Sequence, residues 1–343
     1  MYSILRPLLF RLDPERAHHL TLRLLRLAGA FAPVRAALRS LFCVTDPALG
    51  VNAFGLEFPN PLGLAAGYDK DGAALAGLAC LGFGHVELGT VTPRPQPGNP
   101  RPRIFRLPED QALINRMGFP NEGAEPLLRR LRSSRPKGVQ VGVNVGKGVG
   151  TPIEQAAEDY LELVRIFYGA CDYLAINVSS PNTLGLRRLQ ARDQLEALLR
   201  ALTGERTKLA AERGRRVPML VKLAPDLGDD ELEDAVGAIV KSGADGVIAT
   251  NTTTERRGLR SPRARETGGL SGRPLRARST EVIRRIGVLS GGRLPVVGAG
   301  GVFDAEDARA KLDAGAVLVQ AYTGLVYEGP GMARRLLQGL RSP

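Results

Sequence analysis

The chain is poor in the residues that build metal centres and covalent frameworks. Its three cysteines, Cys43, Cys80 and Cys171, lie far apart in no CxxC or Cys/His cluster. That spacing argues against a disulfide scaffold or a structural zinc site and favours a reducing compartment. Histidine is equally scarce. Two of its three copies, His18 and His19, sit near the start and the third is His85, which makes a Ser-His-Asp triad improbable. Long apolar runs are missing too: Gly72 to Val86, fifteen residues without formal charge, falls short of the roughly 20 that a spanning helix needs.

What is present fits an ordinary folded protein. The 343 residues are 43% hydrophobic and 24% charged. That length suits two domains, or one α/β barrel of about 250 residues with an appendage. The net charge of +12 admits nucleic acid, an anionic membrane surface or phosphorylated ligands as partners. It is concentrated in two places. Residues 1–45 hold seven arginines against two acids, and residues 255–278 hold eight against two. The remainder is nearly neutral, which speaks against a diffuse nucleic-acid coat.

Residues 1–45 form one unit. Asp13-Pro14-Glu15 reads as an N-cap, a first-turn proline and a first-turn acid. Ala17, Leu20, Leu24 and Leu27 follow at helical spacing until Gly29, and Pro33 opens a second amphipathic helix. A hairpin docked on the main domain and an interfacial membrane anchor both fit this pattern. The early cap with its two acids argues against an organelle-targeting peptide.

Beyond residue 55, short apolar runs alternate with helical stretches: 61–66, 85–89, 139–145, 173–178, 219–223, 246–249, 295–298 and 316–320. Eight such runs predict parallel βαβ units closed into a (β/α)8 TIM barrel over residues 46–343, with an open doubly wound sheet as the alternative. Barrel chemistry sits at the carboxyl ends of the strands. Those ends carry Lys70, Thr90, Asn144, Asn177, Ser180, Asn182, Lys222, Thr250, Asn251 and Thr252. Any one of them is an ordinary turn residue, but polar residues at nearly every strand end of one rim are not explained by turns alone. Gly300-Gly301 and Tyr322-Thr323-Gly324 follow runs seven and eight, the usual phosphate site of this fold, and the glycines do not form G-x-G-x-x-G. Lys222 reads either as a Schiff-base nucleophile or as a fixed positive charge beside a cofactor ring. Ser180 lacks a G-x-S-x-G elbow and would act by proton transfer. The amides of Asn115, Asn182 and Asn251 suit a ligand with alternating donors and acceptors, such as a pyrimidine ring.

Several long motifs resemble the dihydroorotate dehydrogenase family. They are Ala66-Gly67-Tyr68-Asp69-Lys70-Asp71-Gly72, the stretch Gly89 to Asn99, Asn115-Arg116-Met117-Gly118-Phe119, Asn177 to Thr183, Val221 to Asp226, Ala249 to Thr253 and Gly268 to Leu275. The resemblance covers nearly the whole chain. Serine rather than cysteine at position 180, together with the helical extension, resembles the quinone-dependent class 2. This resemblance implies FMN held by Ala66, Gly67, Tyr68, Asp69, Lys70, Thr90, Asn144, Asn177, Lys222, Thr250, Gly272, Gly301, Tyr322 and Thr323. It implies dihydroorotate held by Lys70, Asn115, Arg116, Met117, Gly118, Phe119, Asn177, Asn182, Asn251 and Thr252, with Ser180 as catalytic base. A quinone path past His18, Arg106 and Tyr322 is expected. So is peripheral attachment of residues 1–45 to the anionic cytoplasmic face of the cell membrane, with no signal or transit peptide and no obligate protein partner. Pro120 departs from the pattern, standing where related motifs often have Asn.

Two rivals remain at this level. A tRNA dihydrouridine synthase-like flavoenzyme shares the FMN barrel but uses a cysteine, and none lies near Ser180 in sequence. A non-catalytic basic scaffold for nucleic acid would leave the polar strand ends unexplained.

Overall fold

The structure is a computed structural model and describes residues 2–341. Three helices come first: α1 (Tyr2–Arg11), α2 (Pro14–Ala30) and α3 (Ala32–Phe42). Asp13 caps α2 as the sequence implies, its carboxylate accepting the N–H groups of Glu15 and Arg16 at 3.0 Å each. Helix α1 was not foreseen. It contains Pro7 and buries no residue, so it presents neither a clean start signal nor a core stripe.

The strands then run β1 (Val51–Ala53), β2 (Leu56–Phe58), β3 (Leu62–Leu64), β4 (His85–Val91), β5 (Ile104–Leu107), β6 (Ala112–Asn115), β7 (Gln140–Val145), β8 (Tyr173–Asn177), β9 (Met219–Leu223), β10 (Gly246–Ala249), β11 (Gly269–Gly272), β12 (Val296–Ala299) and β13 (Ala316–Ala321). The strands β3, β4, β7, β8, β9, β10, β12 and β13 close into a parallel barrel, and each coincides with one of the eight apolar runs. The third strand continues one residue past Asn144, to Val145.

Strand periodicity sorts the side chains into two cores. Outward residues such as Val86, Leu88, Val141, Val143, Leu174 and Val221 pack under the surrounding helices. Inward residues Tyr173, Ala175, Leu220, Ile248, Val297 and Leu318 fill the barrel, which Ala53 and Phe58 of the antiparallel β1–β2 hairpin plug from below. The same alternation points Glu87, Asn144, Asn177, Lys222 and Gln320 inward near the carboxyl ends.

Two further features position the site. The strands β11, β6 and β5 form an antiparallel sheet over the carboxyl rim. The short helix α4 (Leu75–Leu78) carries Gly77, against which α2 packs backbone to backbone: a Cβ at Gly77 would lie 2.1 Å from the Leu25 carbonyl oxygen. The extension is therefore seated on the barrel, with Glu15 buried against Arg103 (Nη2 to Oε1, 2.7 Å). Among the described residues no helix is long and apolar enough to cross a membrane.

The arginines of 255–278 gain a structural account. Arg256 donates to the carbonyls of Glu266 and Gly268, and Arg278 to those of Pro225 and Leu227. Arg276 pairs with Asp307 at 2.9 Å, and Arg273 lies over the Phe303 ring. This segment spends much of its charge fastening rim loops.

Candidate active site

A cavity opens at the carboxyl mouth of the barrel beneath the β5–β6–β11 sheet. Its lining brings together Ala66, Gly67, Lys70, Thr90, Asn115, Met117, Gly118, Phe119, Asn177, Ser180, Asn182, Lys222, Thr250, Asn251, Thr252, Gly272, Gly301, Tyr322 and Thr323. Residues from seven of the eight βα units and from the covering sheet converge there, all but the β7 unit, as barrel topology favours.

The polar groups are held in order. Asn144 sits below the lining, accepting from Thr90 Oγ1 (2.5 Å) and Asn177 Nδ2 (3.0 Å). Asn251 Nδ2 donates to Ser179 Oγ at 3.0 Å and Asn182 Nδ2 to Asn115 Oδ1 at 3.2 Å. Ser180, 4% exposed, accepts the Asn182 N–H at 3.2 Å. Lys70 Nζ donates to the Gly67 carbonyl at 2.7 Å. Burial pushes the Lys70 ammonium down to about 8, an effect the Asp71 charge opposes.

Three residues expected to touch a ligand have their side chains engaged elsewhere. Asp69 accepts the N–H groups of Ala73 (2.9 Å) and Ala74 (2.7 Å), so its carboxylate caps the turn before α4. Arg116 lies over the Phe105 ring and pairs with Glu266 at 2.9 Å on the rim. Tyr68 turns away from the first cavity, its ring standing between Tyr322 (5.7 Å) and His18 (5.1 Å). Pro120 is followed by a fully engaged Asn121, which bonds Thr92, the Phe119 carbonyl and the Gly123 N–H.

The barrel mouth fits a phosphorylated, flat, polar cofactor. Thr250 Oγ1 and Gln320 Oε1 are buried without a hydrogen-bond partner, and both residues line the cavity. Groups so placed call for a ligand or water. Gly301 has φ +74°, and a Cβ there would meet the Arg276 backbone at 2.6 Å, so only glycine lets these segments approach. The N–H groups of Gly300 and Gly301 donate to no backbone carbonyl among the described residues, which suits an anionic phosphate. Lys70 and Lys222 supply positive charge.

A second, largely apolar cavity lies between the extension and the rim. Leu9, Phe10, Ala17, His18, Leu24, Leu25, Tyr68, Arg106, Leu325 and Val326 line it, and it shares Ile104, Leu113 and Tyr322 with the first. Arg106 is partly committed: its Nη1 donates to the carbonyls of Phe10 (2.8 Å) and Leu12 (3.1 Å), pinning the α1–α2 turn. Burial pushes the His18 imidazole down to about 3, assisted by the Lys70 charge, so the ring is neutral near pH 7.

Sequence reasoning missed Glu87, an inward residue under the cavity floor, and Gln320, which lines the cavity. Their signal was available: Glu87 stands two residues before Gly89, on the same strand face. The barrel has no cysteine at the mouth; Cys171 is buried on the helix-facing side, and Cys43 and Cys80 lie at the α3–α4 junction. The dihydrouridine-synthase rival therefore has no active-site thiol here.

Comparison with known proteins agrees with this geometry. The family model described as "Dihydroorotate dehydrogenase" matches residues 48–343. A dihydroorotate dehydrogenase (quinone) of Methylococcus capsulatus is 53% identical over 331 residues, covering 96% of each chain. That of Azotobacter vinelandii is 50% identical over 341 residues, covering 99% of this chain and 96% of its own. Among solved structures, ligand-free DHODH from Eimeria tenella superposes with a TM-score of 0.87 at 41% identity, covering 96% of this chain and 94% of its own. With a closed barrel, a polar mouth and relatives this similar over almost their full length, the chain belongs to the dihydroorotate dehydrogenase family.

Proposed function

We propose that this chain oxidises (S)-dihydroorotate to orotate in pyrimidine synthesis, with FMN as redox cofactor and a membrane quinone as final acceptor. The observation that carries the reading is the barrel mouth itself. There Ser180 shares one small cavity with the amides of Asn115, Asn177, Asn182 and Asn251 and with the two lysines.

In this reading Lys70 and the four asparagines hold the carboxylate and ring carbonyls of dihydroorotate and fix its approach. Phe119, Met117 and Gly118 cover it. FMN, held by Gly67, Thr90, Lys222, Thr250, Gly272, Gly301 and Thr323, supplies the hydride acceptor. The role left to the protein is the proton. Ser180 Oγ takes it from C5 and passes its own hydroxyl proton on to solvent as hydride leaves C6, and no histidine or carboxylate lines the cavity to share that task. The Asn182 N–H fixes the Oγ. Ser180→Ala should keep flavin bound and slow flavin reduction by dihydroorotate at least about 100-fold, the lower range for general base catalysis. An unchanged reduction rate in stopped flow would sink the assignment.

The second cavity is the quinone site of this reading. Its apolar walls, His18 and Tyr322 lead from the extension to the edge of the first cavity. Ile4, Leu8, Leu24, Leu27 and Phe31 are each more than half exposed, and arginines are interspersed among them, as on a helix face lying in a membrane interface. The chain thus attaches peripherally to an anionic, cytoplasmic membrane face through residues 1–45. The double substitution Leu27→Glu with Phe31→Glu should reduce pelleting with anionic vesicles and leave flavin reduction intact. Undiminished pelleting would refute the attachment.

A further inference from the structure

Glu87 lines neither cavity, yet it is the most heavily bonded side chain under the first. Its carboxylate, 0% exposed, accepts from Asn144 Nδ2 (2.8 Å), Gln320 Nε2 (2.8 Å), Tyr173 OH (3.2 Å) and Lys222 Nζ (3.4 Å). The Lys222 and amide nitrogens can only donate, so the Glu87 carboxyl oxygens meet them as acceptors. Lys222 makes no other ion pair among the described residues. The cation presented at the cavity floor is therefore half of a buried pair, and removing either half leaves an uncompensated buried charge.

The same carboxylate sets the amide of Asn144. By taking Nδ2, it turns Oδ1 toward Thr90 and Asn177, two residues of the cavity lining. One inward glutamate thus governs the charge of Lys222 and the hydrogen-bonding sense of three floor side chains.

We infer that Glu87 is a positioning residue for the oxidation: its carboxylate pairs Lys222 and orients Asn144 beneath the cofactor, and its negative charge holds down the cofactor's reduction potential. The inference rests on the FMN reading of the mouth.

Glu87→Gln is a clean probe, because the bonding can survive loss of the charge. Gln320 Oε1 has no partner, so the Gln320 amide can turn over and accept from the new amide nitrogen. In flavin-loaded protein, spectroelectrochemical titration should show the two-electron equilibrium shifted at least tenfold toward the reduced form, a rise of about 30 mV. Lys222→Gln should shift it the opposite way, and the double variant should lie between. If Glu87→Gln fails to fold, Lys222→Gln is compared with the double variant, in which no buried charge is orphaned. There too, losing Glu87 must raise the potential. A two-electron equilibrium within twofold of its reference in both backgrounds overturns the inference, because packing at Glu87 would then be its only role. Purified wild-type protein that binds no added FMN overturns the cofactor reading instead.

Discussion

The seat of the N-terminal extension is set by one buried ion pair, and Glu15→Gln tests it. Glu15 on α2 is 5% exposed and Arg103 is 6% exposed. Arg103 Nε contacts both carboxylate oxygens at 3.2 Å and Nη2 contacts Oε1 at 2.7 Å. Its remaining nitrogen, Nη1, holds the carbonyls of Pro97 (2.6 Å) and Asn99 (3.0 Å). Asn99 in turn reaches the carbonyls of Arg116 and Asn182 beside the substrate cavity. Removing one partner of a buried pair costs about 3–5 kcal/mol. The lower end applies, because glutamine keeps one acceptor oxygen and the Arg101 contact is solvent-exposed and worth little. About 3 kcal/mol is roughly a hundredfold in an equilibrium constant. The loss falls on docking of α2 rather than on the barrel, whose core shares nothing with the pair. Hydrogen exchange should therefore accelerate about a hundredfold for residues 14–30 and stay constant in β4 and β8. The pH dependence has a definite sign. Burial raises the Glu15 carboxyl, but the hydrogen bonds and charge of Arg103 outweigh it and hold it below the usual range. Its contribution is then fully present above the unfolded value of about 4.3 and is lost as pH falls through the lower folded value. The glutamine variant should lack that acid-dependent loosening. If α2 exchange changes less than about threefold, the pair does not dock the helix.

Further expectations follow from the same interface. Gly77→Ala places a methyl into the Leu25 carbonyl; such overpacking costs about 1–3 kcal/mol. It should slow quinone reduction while sparing flavin reduction, a split that stopped-flow measurement of the two half-reactions resolves, and equal effects on both would refute it. His18 should show no protonation by NMR between pH 5 and 8, since burial holds it near 3; a midpoint near 6.5 would place the ring in water. Because its folded value is depressed, His18 destabilises the fold only as pH falls below the unfolded value of about 6.5.

Much of this molecule was legible in one dimension. Parallel strands buried on both faces must be short apolar runs, so eight of them could be counted. Barrel topology then assigned their carboxyl ends to chemistry. That is why nineteen of the expected site residues fall on one cavity. The exceptions among the expected cofactor and substrate residues are Asn144, one layer below the lining, Tyr68, which faces the second cavity, and Asp69 and Arg116. Asp69 and Arg116 belong to the right motifs, but a motif does not say which way a side chain turns, and both are claimed by local partners. Helix α1 escaped because its face is apolar toward the surface rather than toward a core.

The sequence by itself determined the barrel, the capped helical extension and the polar rim, because strand and helix periods and turn chemistry are local properties. Only the tertiary structure decided how they combine. It turned Glu87 from a polar residue inside an apolar strand into the counter-charge of Lys222, 135 positions away. It also seated α2 on Gly77 and Arg103 so that an apolar cavity meets the barrel mouth at Tyr322. Those outcomes depend on contacts between distant segments, whose distances and partners exist only once the barrel has closed.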